Sequence, residues 1–312
     1  MTIVVTGASG QFGQSAVERL LQSVPAEDLI LVTRRPQGLA EFAARGCDVR
    51  VGDYDDPASL VDAYRGGERL LMISGTRVGK RVAQHTGAIN AAKAAGVRHI
   101  VYTSFVGSTP KSCADVSGDH CATEAALLAS GLEWTVLRDA QYAEAAVDVM
   151  APSIIRAGKM LAVAGDGQMA FVSREDCVAS AVAVLTGDGH AGRVYDITGP
   201  DLVSYRELAA MIAETAGRPI EFVPVDEAGL YAMFDVLGVP REPVDDNIAN
   251  GFPWNSDDMV SFEAAVRDGH FAILSDDVER LTGRPPRSLR SLFEARSAAL
   301  RAIAFEETSP TS

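Results

Sequence analysis

The chain predicts an α/β fold: a doubly wound parallel sheet with a smaller α/β lobe toward the C-terminal end. Three observations carry this. A β-branched run, Ile3-Val4-Val5, stops at a glycine and becomes a helical pattern (Phe12, Ala16, Val17, Leu20, Leu21) within a few residues. Up to about residue 140, short apolar runs alternate with amphipathic stretches, the pattern of strands joined by right-handed helical crossovers. Beyond that point the rhythm loosens, and helices outnumber strands.

In chain order, the strand-like runs after the first are Leu29–Thr33, Cys47–Val51, Arg69–Ile73, His99–Thr103 and Trp134–Leu137. Apart from Cys47–Val51, which alternates with Asp48 and Arg50, they are largely continuous, as strands covered on both faces are. Helical patterns lie between them near Leu39–Arg45, Pro57–Tyr64, Arg81–Ala95 and Asp119–Ser130, the third closed by Gly96 as a C-terminal cap. Further on, Val147–Arg156 and Arg174–Thr186 read as helices, Met160–Val163 and Gln168–Val172 as short strands. Val194–Ile197 and Ile220–Val223 read as strands returning around the helix Tyr205–Ala216. The tail reads as helices over Glu227–Leu237, Met259–Arg267, Asp276–Leu281 and Ser288–Ala304. Pro240–Ser256 is rich in turn formers and reads as a lid or a connector, with a connector favoured. The division expected is residues 1–150 as one domain, joined by return strands near 192–224, and 151–312 as a smaller, mostly helical lobe.

The opening turn is the most informative stretch. Gly7, Gly10 and Gly13 are spaced Gly-x-x-Gly-x-x-Gly between a strand and a helix, with Ser9, Gln11 and Phe12 among them. A helix N-terminus at a strand's C-terminal end offers free N–H groups and a positive dipole end to a pyrophosphate. This makes the sheet a Rossmann-type dinucleotide site. The second strand ends Thr33-Arg34-Arg35. An NAD site normally places a carboxylate there for the ribose hydroxyls, whereas a guanidinium fork matches a 2′-phosphate, so NADP(H) is expected with Arg34 as its reader. Asp53 and Tyr54 follow the third strand, where a carboxylate reaches the adenine amino group and a ring flanks the base. Ser74, Gly75 and Thr76 follow the fourth, and Ser104 and Phe105 end the fifth, at the nicotinamide position.

Bulk composition narrows the partners. A net charge of −14 repels nucleic acid and anionic membrane surfaces. With 47% hydrophobic and 22% charged residues the chain reads as soluble, and no apolar run reaches the ~18 residues of a membrane span. Met1 leads straight into the first strand, with no cleavable signal in between. Cys47, Cys113, Cys121 and Cys177 show neither close pairing nor metal-ligand spacing. Reduced thiols in the cytoplasm are expected, with no metal. Oligomeric state, monomer or homodimer, stays open.

Several stretches together resemble the NmrA-like group of the atypical short-chain dehydrogenase/reductase superfamily. They are Val5–Gly13, Val32–Pro36, Gly52–Tyr54, Gln84-His85 with Asn90–Val97, Tyr102–Ser104, His120 to Glu124, and Leu137-Arg138 through Tyr142. Within the group the likeness is to NAD(P)H:quinone oxidoreductases and triphenylmethane reductases. The resemblance implies an NADP-binding domain with a small C-terminal substrate lobe. One departure is Asp139, where such relatives carry asparagine; it sets a carboxyl beside the expected site.

The acceptor chemistry follows from an absence. None of the seven tyrosines has lysine four residues on, so the Tyr-x-x-x-Lys acid of typical short-chain dehydrogenases is missing. Reducing a ketone makes an alkoxide about as basic as hydroxide (water pKa ~15.7), which needs a placed acid. Reducing a quinone makes a phenolate whose conjugate acid is near ~10, and an aryl cation needs no proton. A small aromatic acceptor reduced by direct hydride transfer at ~3–3.5 Å is therefore expected. His120 and Glu124, one turn apart, are either a proton relay in which Glu124 orients the imidazole or a helix-surface pair. Tyr142 is either a proton donor, a stacking wall or a packing residue at the lobe junction. His85, His99 and His190 read as structural or exposed. Two alternatives stand beside the reductase. One is a redox-sensing NADP-binding regulator without catalysis, and the other is a lignan-type reductase opening benzylic ethers with Lys111.

Overall fold

The computed structural model describes residues 1–242 and 255–306. The strands are β1 (Ile3–Val5), β2 (Leu29–Thr33), β3 (Asp48–Val51), β4 (Arg69–Met72), β5 (His99–Phe105), β6 (Glu133–Asp139), β7 (Gln141–Tyr142), β8 (Lys159–Ala162), β9 (Gln168–Val172), β10 (Arg193–Ile197), β11 (Leu202–Ser204) and β12 (Glu221–Pro224). The helices are α1 (Gln11–Leu20), α2 (Ala40–Ala44), α3 (Pro57–Tyr64), α4 (Arg81–Ala95), α5 (Asp115–Ala129), α6 (Ala151–Ala157), α7 (Arg174–Thr186), α8 (Tyr205–Ala216), α9 (Glu227–Val236), α10 (Ser256–Arg267), α11 (Asp277–Thr282) and α12 (Leu289–Glu306).

Seven parallel strands form the central sheet in the order β10-β6-β5-β4-β1-β2-β3. The order reverses at β1, so the crevice between the chain segments leaving β1 and β4 lies at a topological switch point. Both faces of the inner strands are covered, which is why β1, β2, β4 and β5 read as largely apolar runs, whereas the edge strand β3 carries Asp48 and Arg50 and is partly exposed. Ile3, Val5, Leu29, Leu31, Leu71 and Leu137 pack with Ala16, Val17 and Leu20 of α1 and Val178 and Leu185 of α7. Val4, Ile30, Val32, Leu70, Met72 and Ile100 pack on the other face with α3 and α4 through Leu60, Tyr64, Ala88 and Ile89.

A second core gathers Ile155 of α6, Leu208 and Ile212 of α8, and Leu292, Phe293 and Leu300 of α12 around Met160, Met169 and Phe171. Here β11-β9-β7 form a small sheet, and β12 pairs in parallel with β8. The α8 start follows from a capping box: Ser204 Oγ accepts the Glu207 N–H at 3.2 Å, and Glu207 Oε2 accepts the Ser204 N–H at 2.8 Å.

The structure corrects several readings. Arg193–Ile197 returns to the main sheet beside β6, but the second expected return strand does not; Glu221–Pro224 joins β8 in the smaller lobe. Its half-exposed residues give no cue to which sheet it joins. The helix read over Val147–Arg156 is a π-helical stretch, Ala145–Met150, followed by α6. Helix α5 begins at Asp115, four residues earlier than read. The segments β7 and β11, two and three residues long, are too short for periodicity to register. Of the connector Pro240–Ser256, residues 243–254 lie outside the described residues. No helix among the described residues is long and apolar enough to cross a membrane.

Candidate active site

A cleft of about 1440 Å³ runs along the C-terminal ends of the central strands and is closed on its far side by α6, α9 and α10. Every residue expected to hold the cofactor lines it: Gly7, Ser9, Gly10, Gln11, Phe12 and Gly13, Arg34, Asp53 and Tyr54, Ser74, Gly75 and Thr76, Ser104 and Phe105.

The opening turn is built for close approach. Gly7 takes φ +59°, a conformation side chains disfavour. A Cβ on Gly13 would sit 2.4 Å from the Gly7 carbonyl oxygen and 2.7 Å from Ala8 Cα, so only glycine lets α1 lie this close to β1. No side chain caps the α1 N-terminus, and its first turn holds no acidic residue. The leading amides are thus left for an anion. Ser9 Oγ and Thr33 Oγ1 lie 2.8 Å apart, and Thr33 Oγ1 also accepts the Arg35 N–H at 3.0 Å, tying the turn to the end of β2. These residues fit a dinucleotide pyrophosphate.

At the outer end, Arg34 and Arg35 stand exposed at the rim. Asp53 Oδ1 accepts the Asp55 N–H at 3.0 Å, and Asp55 is itself held by Arg77 and by Gln84 Nε2 at 2.7 Å. The Tyr54 hydroxyl is spent on Thr6 Oγ1 (2.7 Å) and the Ile73 carbonyl (2.9 Å), so the tyrosine offers the cleft its ring.

The turn after β4 rests on two side chains. The Gly75 N–H donates to His85 Nε2 at 3.0 Å, which places the imidazole proton on Nδ1, 3.0 Å from Thr123 Oγ1. Burial holds His85 neutral, its pKa pushed down to about 3, so it is a satisfied structural histidine. Arg81 Nε donates to the Gly75 carbonyl at 2.6 Å and Nη2 to that of Thr76 at 3.3 Å. Its structural role was not anticipated from sequence.

At the inner end, the expected His120–Glu124 contact is absent. Glu124 turns to the sheet instead: Oε1 accepts Ser104 Oγ at 2.6 Å and Arg138 Nε at 3.0 Å, and Oε2 accepts Arg138 Nη2 at 2.6 Å. Glu124 does not line the cleft. The pair is not a helix-surface feature either, since both residues are buried. His120 Nδ1 lies 2.7 Å from the Tyr102 hydroxyl, and burial pushes the imidazole pKa well below its usual value. The tautomer in which Tyr102 donates to Nδ1 carries the ring proton on Nε2.

Asp139 and Tyr142 also line the cleft, with the Tyr142 hydroxyl donating to Asp139 Oδ2 at 3.0 Å. Burial pushes the Asp139 pKa up to about 7, so its carboxyl is partly protonated near neutral pH. The Arg174 guanidinium lies over the Tyr142 ring at 5.6 Å. Phe105 meets Phe262 of α10 edge-on at 5.8 Å and Phe271 at 5.2 Å, making an aromatic wall. Met150, Met160, Leu230, Met233 and Met259 extend the apolar lining. Sequence reasoning singled out none of these apolar residues. Cys113 lies by Asp268 (Sγ–Oδ2 4.0 Å).

A phosphate cradle that opens onto a dry aromatic pocket is the layout of a dinucleotide-dependent oxidoreductase. The chain belongs to the NAD(P)H-binding family, whose profile matches residues 7–187. Within it, the chain groups with the NmrA-like NAD(P)H-dependent oxidoreductases that its motifs resemble. It is 38% identical over 240 residues to quinone oxidoreductase 2 of Escherichia coli (strain K12), covering 76% of this chain and 82% of that protein. The crystal structure of the NADPH-dependent quinone oxidoreductase of Escherichia coli complexed with NADPH superposes with TM-score 0.85 and 33% identity, over 94% of this chain and 99% of that one. The Citrobacter sp. triphenylmethane reductase complexed with NADP(H) superposes with TM-score 0.82 and 29% identity, over 95% and 100%.

Proposed function

We propose that this protein is an NADPH-dependent reductase that passes a hydride to a quinone or a similarly conjugated aromatic acceptor. The observation that carries the reading is the inner pocket. An aromatic and methionine-rich wall stands beside the strand ends at Ser104 and Phe105, with no tyrosine–lysine acid and with a neutral histidine.

Bound NADPH supplies the hydride. The amides of the Gly7–Gly13 turn hold its pyrophosphate, and Arg34 reads the 2′-phosphate with a bidentate guanidinium, which NADH cannot engage. Residues 1–150 then serve mainly the cofactor and residues 151–312 the acceptor. Phe105 and Phe262 sandwich or edge a flat acceptor and exclude water, so catalysis is chiefly positioning. His120 Nε2–H donates a hydrogen bond to the acceptor's oxygen, stabilising charge that develops there; a neutral imidazole is a donor, not an acid. The buried Glu124–Arg138 pair keeps Ser104 in place at the end of β5.

The test is steady-state NADPH and NADH oxidation with a panel of quinones, aryl cations and enones. Turnover of conjugated acceptors with NADPH preferred is the expected result. Tight NADPH binding without turnover of any acceptor would overturn the reading in favour of a redox-sensing regulator.

A further inference from the structure

Asp139 ends β6 beside its register partner Phe105 on β5, and its carboxyl reaches the cleft although the residue is only 2% exposed. Oδ2 accepts the Tyr142 hydroxyl, while Oδ1 has no partner in full hydrogen-bond geometry and the carboxyl's further donor is the Cys177 thiol, a weak one. Among the described residues no cation pairs with it. Arg138, its chain neighbour, is committed to Glu124, and Arg174 of α7 is over the Tyr142 ring. The other groups facing this corner are the Cys177 thiol of α7, with Asp176 and Glu144 behind it. Asp176 is met by Arg284, and Glu144 accepts the Arg174 N–H. An ionised carboxylate with one bare oxygen is poorly solvated in such a place. A protonated one is not: its proton has Tyr142 Oη as a ready acceptor, which frees the tyrosine's own hydrogen for the cleft.

We propose that Asp139 and Tyr142 form a proton-delivery pair for the reduced acceptor. The proposal rests on the reductase reading. The acceptor gains two electrons and a hydrogen as hydride from the reduced nicotinamide. It then takes up one proton to become a neutral quinol; water can supply it, and the pair supplies it directly inside a pocket walled by Phe105 and Phe262. The Tyr142 Oη–H bond breaks as the acceptor's O–H bond forms, and the Asp139 carboxyl gives its proton to Tyr142 Oη. Asp139 is left as a carboxylate and is reprotonated from water once product leaves. Asp139 acts through Tyr142, which alone touches the acceptor. Aryl cations take up hydride without a proton, so they bypass the pair.

Three proteins test this: wild type, Asp139→Asn and Tyr142→Phe, each near-isosteric, with folding checked by circular dichroism. First, infrared titration of the free protein should show a buried carboxyl band that disappears between about pH 6 and 8 and is missing in Asp139→Asn. Second, quinone turnover by the wild type should fall as that band is lost. Third, the ratio of quinone to aryl-cation turnover should drop about tenfold or more in both variants, with the pH dependence of quinone turnover flattened. A carboxyl already ionised at pH 5, or a quinone rate and pH profile unmoved by Asp139→Asn, would overturn the pair alone. Absence of NADPH oxidation with every acceptor would overturn the reductase reading, and the pair with it.

Discussion

Substituting Gly13 by alanine puts the phosphate cradle to the sharpest test. The added Cβ would lie 2.4 Å from the Gly7 carbonyl oxygen and under 3 Å from two backbone atoms of Ala8. Relief requires roughly an ångström of separation between α1 and β1, because backbone on one side and a packed helix on the other leave no rotamer to adjust. Helix α1 buries Phe12, Ala16, Val17 and Leu20, so moving it loosens contacts along the sheet. Overpacking of this kind costs about 1–3 kcal/mol. The same displacement pulls the leading amides off the pyrophosphate, for which a loss of at least about tenfold in NADPH affinity (~1.4 kcal/mol) is expected. Gly10→Ala is the internal control: its Cβ meets only the Gly7 oxygen, at 3.2 Å, and its φ of −77° suits alanine. Thermal denaturation without cofactor and a fluorescence titration with NADPH separate the two effects. Wild-type melting and wild-type affinity in Gly13→Ala would refute the close-approach reasoning; an equal loss of thermal stability in Gly10→Ala would refute its assignment to Gly13.

Three further outcomes follow. Arg34→Ala should weaken NADPH binding about 10- to 100-fold by removing a charge-assisted pair with the 2′-phosphate, while leaving NADH within a few-fold; equal losses for both cofactors would mean that Arg34 does not read the phosphate. Glu124→Gln removes the counter-charge of Arg138, whose side chain is 25% exposed, and should lower stability in urea by about 2–4 kcal/mol without moving the pH profile of turnover. A shifted pH profile would restore Glu124 to the proton path. Asp139 has a folded pKa near 7, raised above its unfolded value, so its contribution is fully present below about pH 4 and lost as pH rises to about 7. Asp139→Asn removes this penalty, so its stability relative to wild type should rise with pH. The change should be on the order of 2–4 kcal/mol between pH 4 and pH 8; parallel stability curves would refute it.

The sheet and the cofactor half of the cleft were legible in the sequence because their causes are local. A strand covered on both faces must be apolar along its length, as Leu29–Val32 is before Thr33 ends it. A turn that admits a pyrophosphate needs glycine where a Cβ would strike backbone, as at Gly13. The position of a residue at a strand's end is then enough to place Arg34, Tyr54, Gly75 and Ser104 along one edge. What surrounds a side chain is not local. Helical spacing paired Glu124 with His120, but the nearest strand supplied Arg138, and a bidentate guanidinium is the stronger partner for a carboxylate. Nothing in the one-dimensional pattern tells β10, which joins the main sheet, from β12, which joins β8; the choice belongs to which edge is open when the second lobe packs. The aromatic wall brings Phe105 of the first half against Phe262 from more than 150 residues on, and the protonation of Asp139 depends on burial that only packing creates. The sequence therefore determined that the chain opens on an NAD(P)H-binding strand, turn and helix; the tertiary structure decided which side chains meet at the inner end of the cleft.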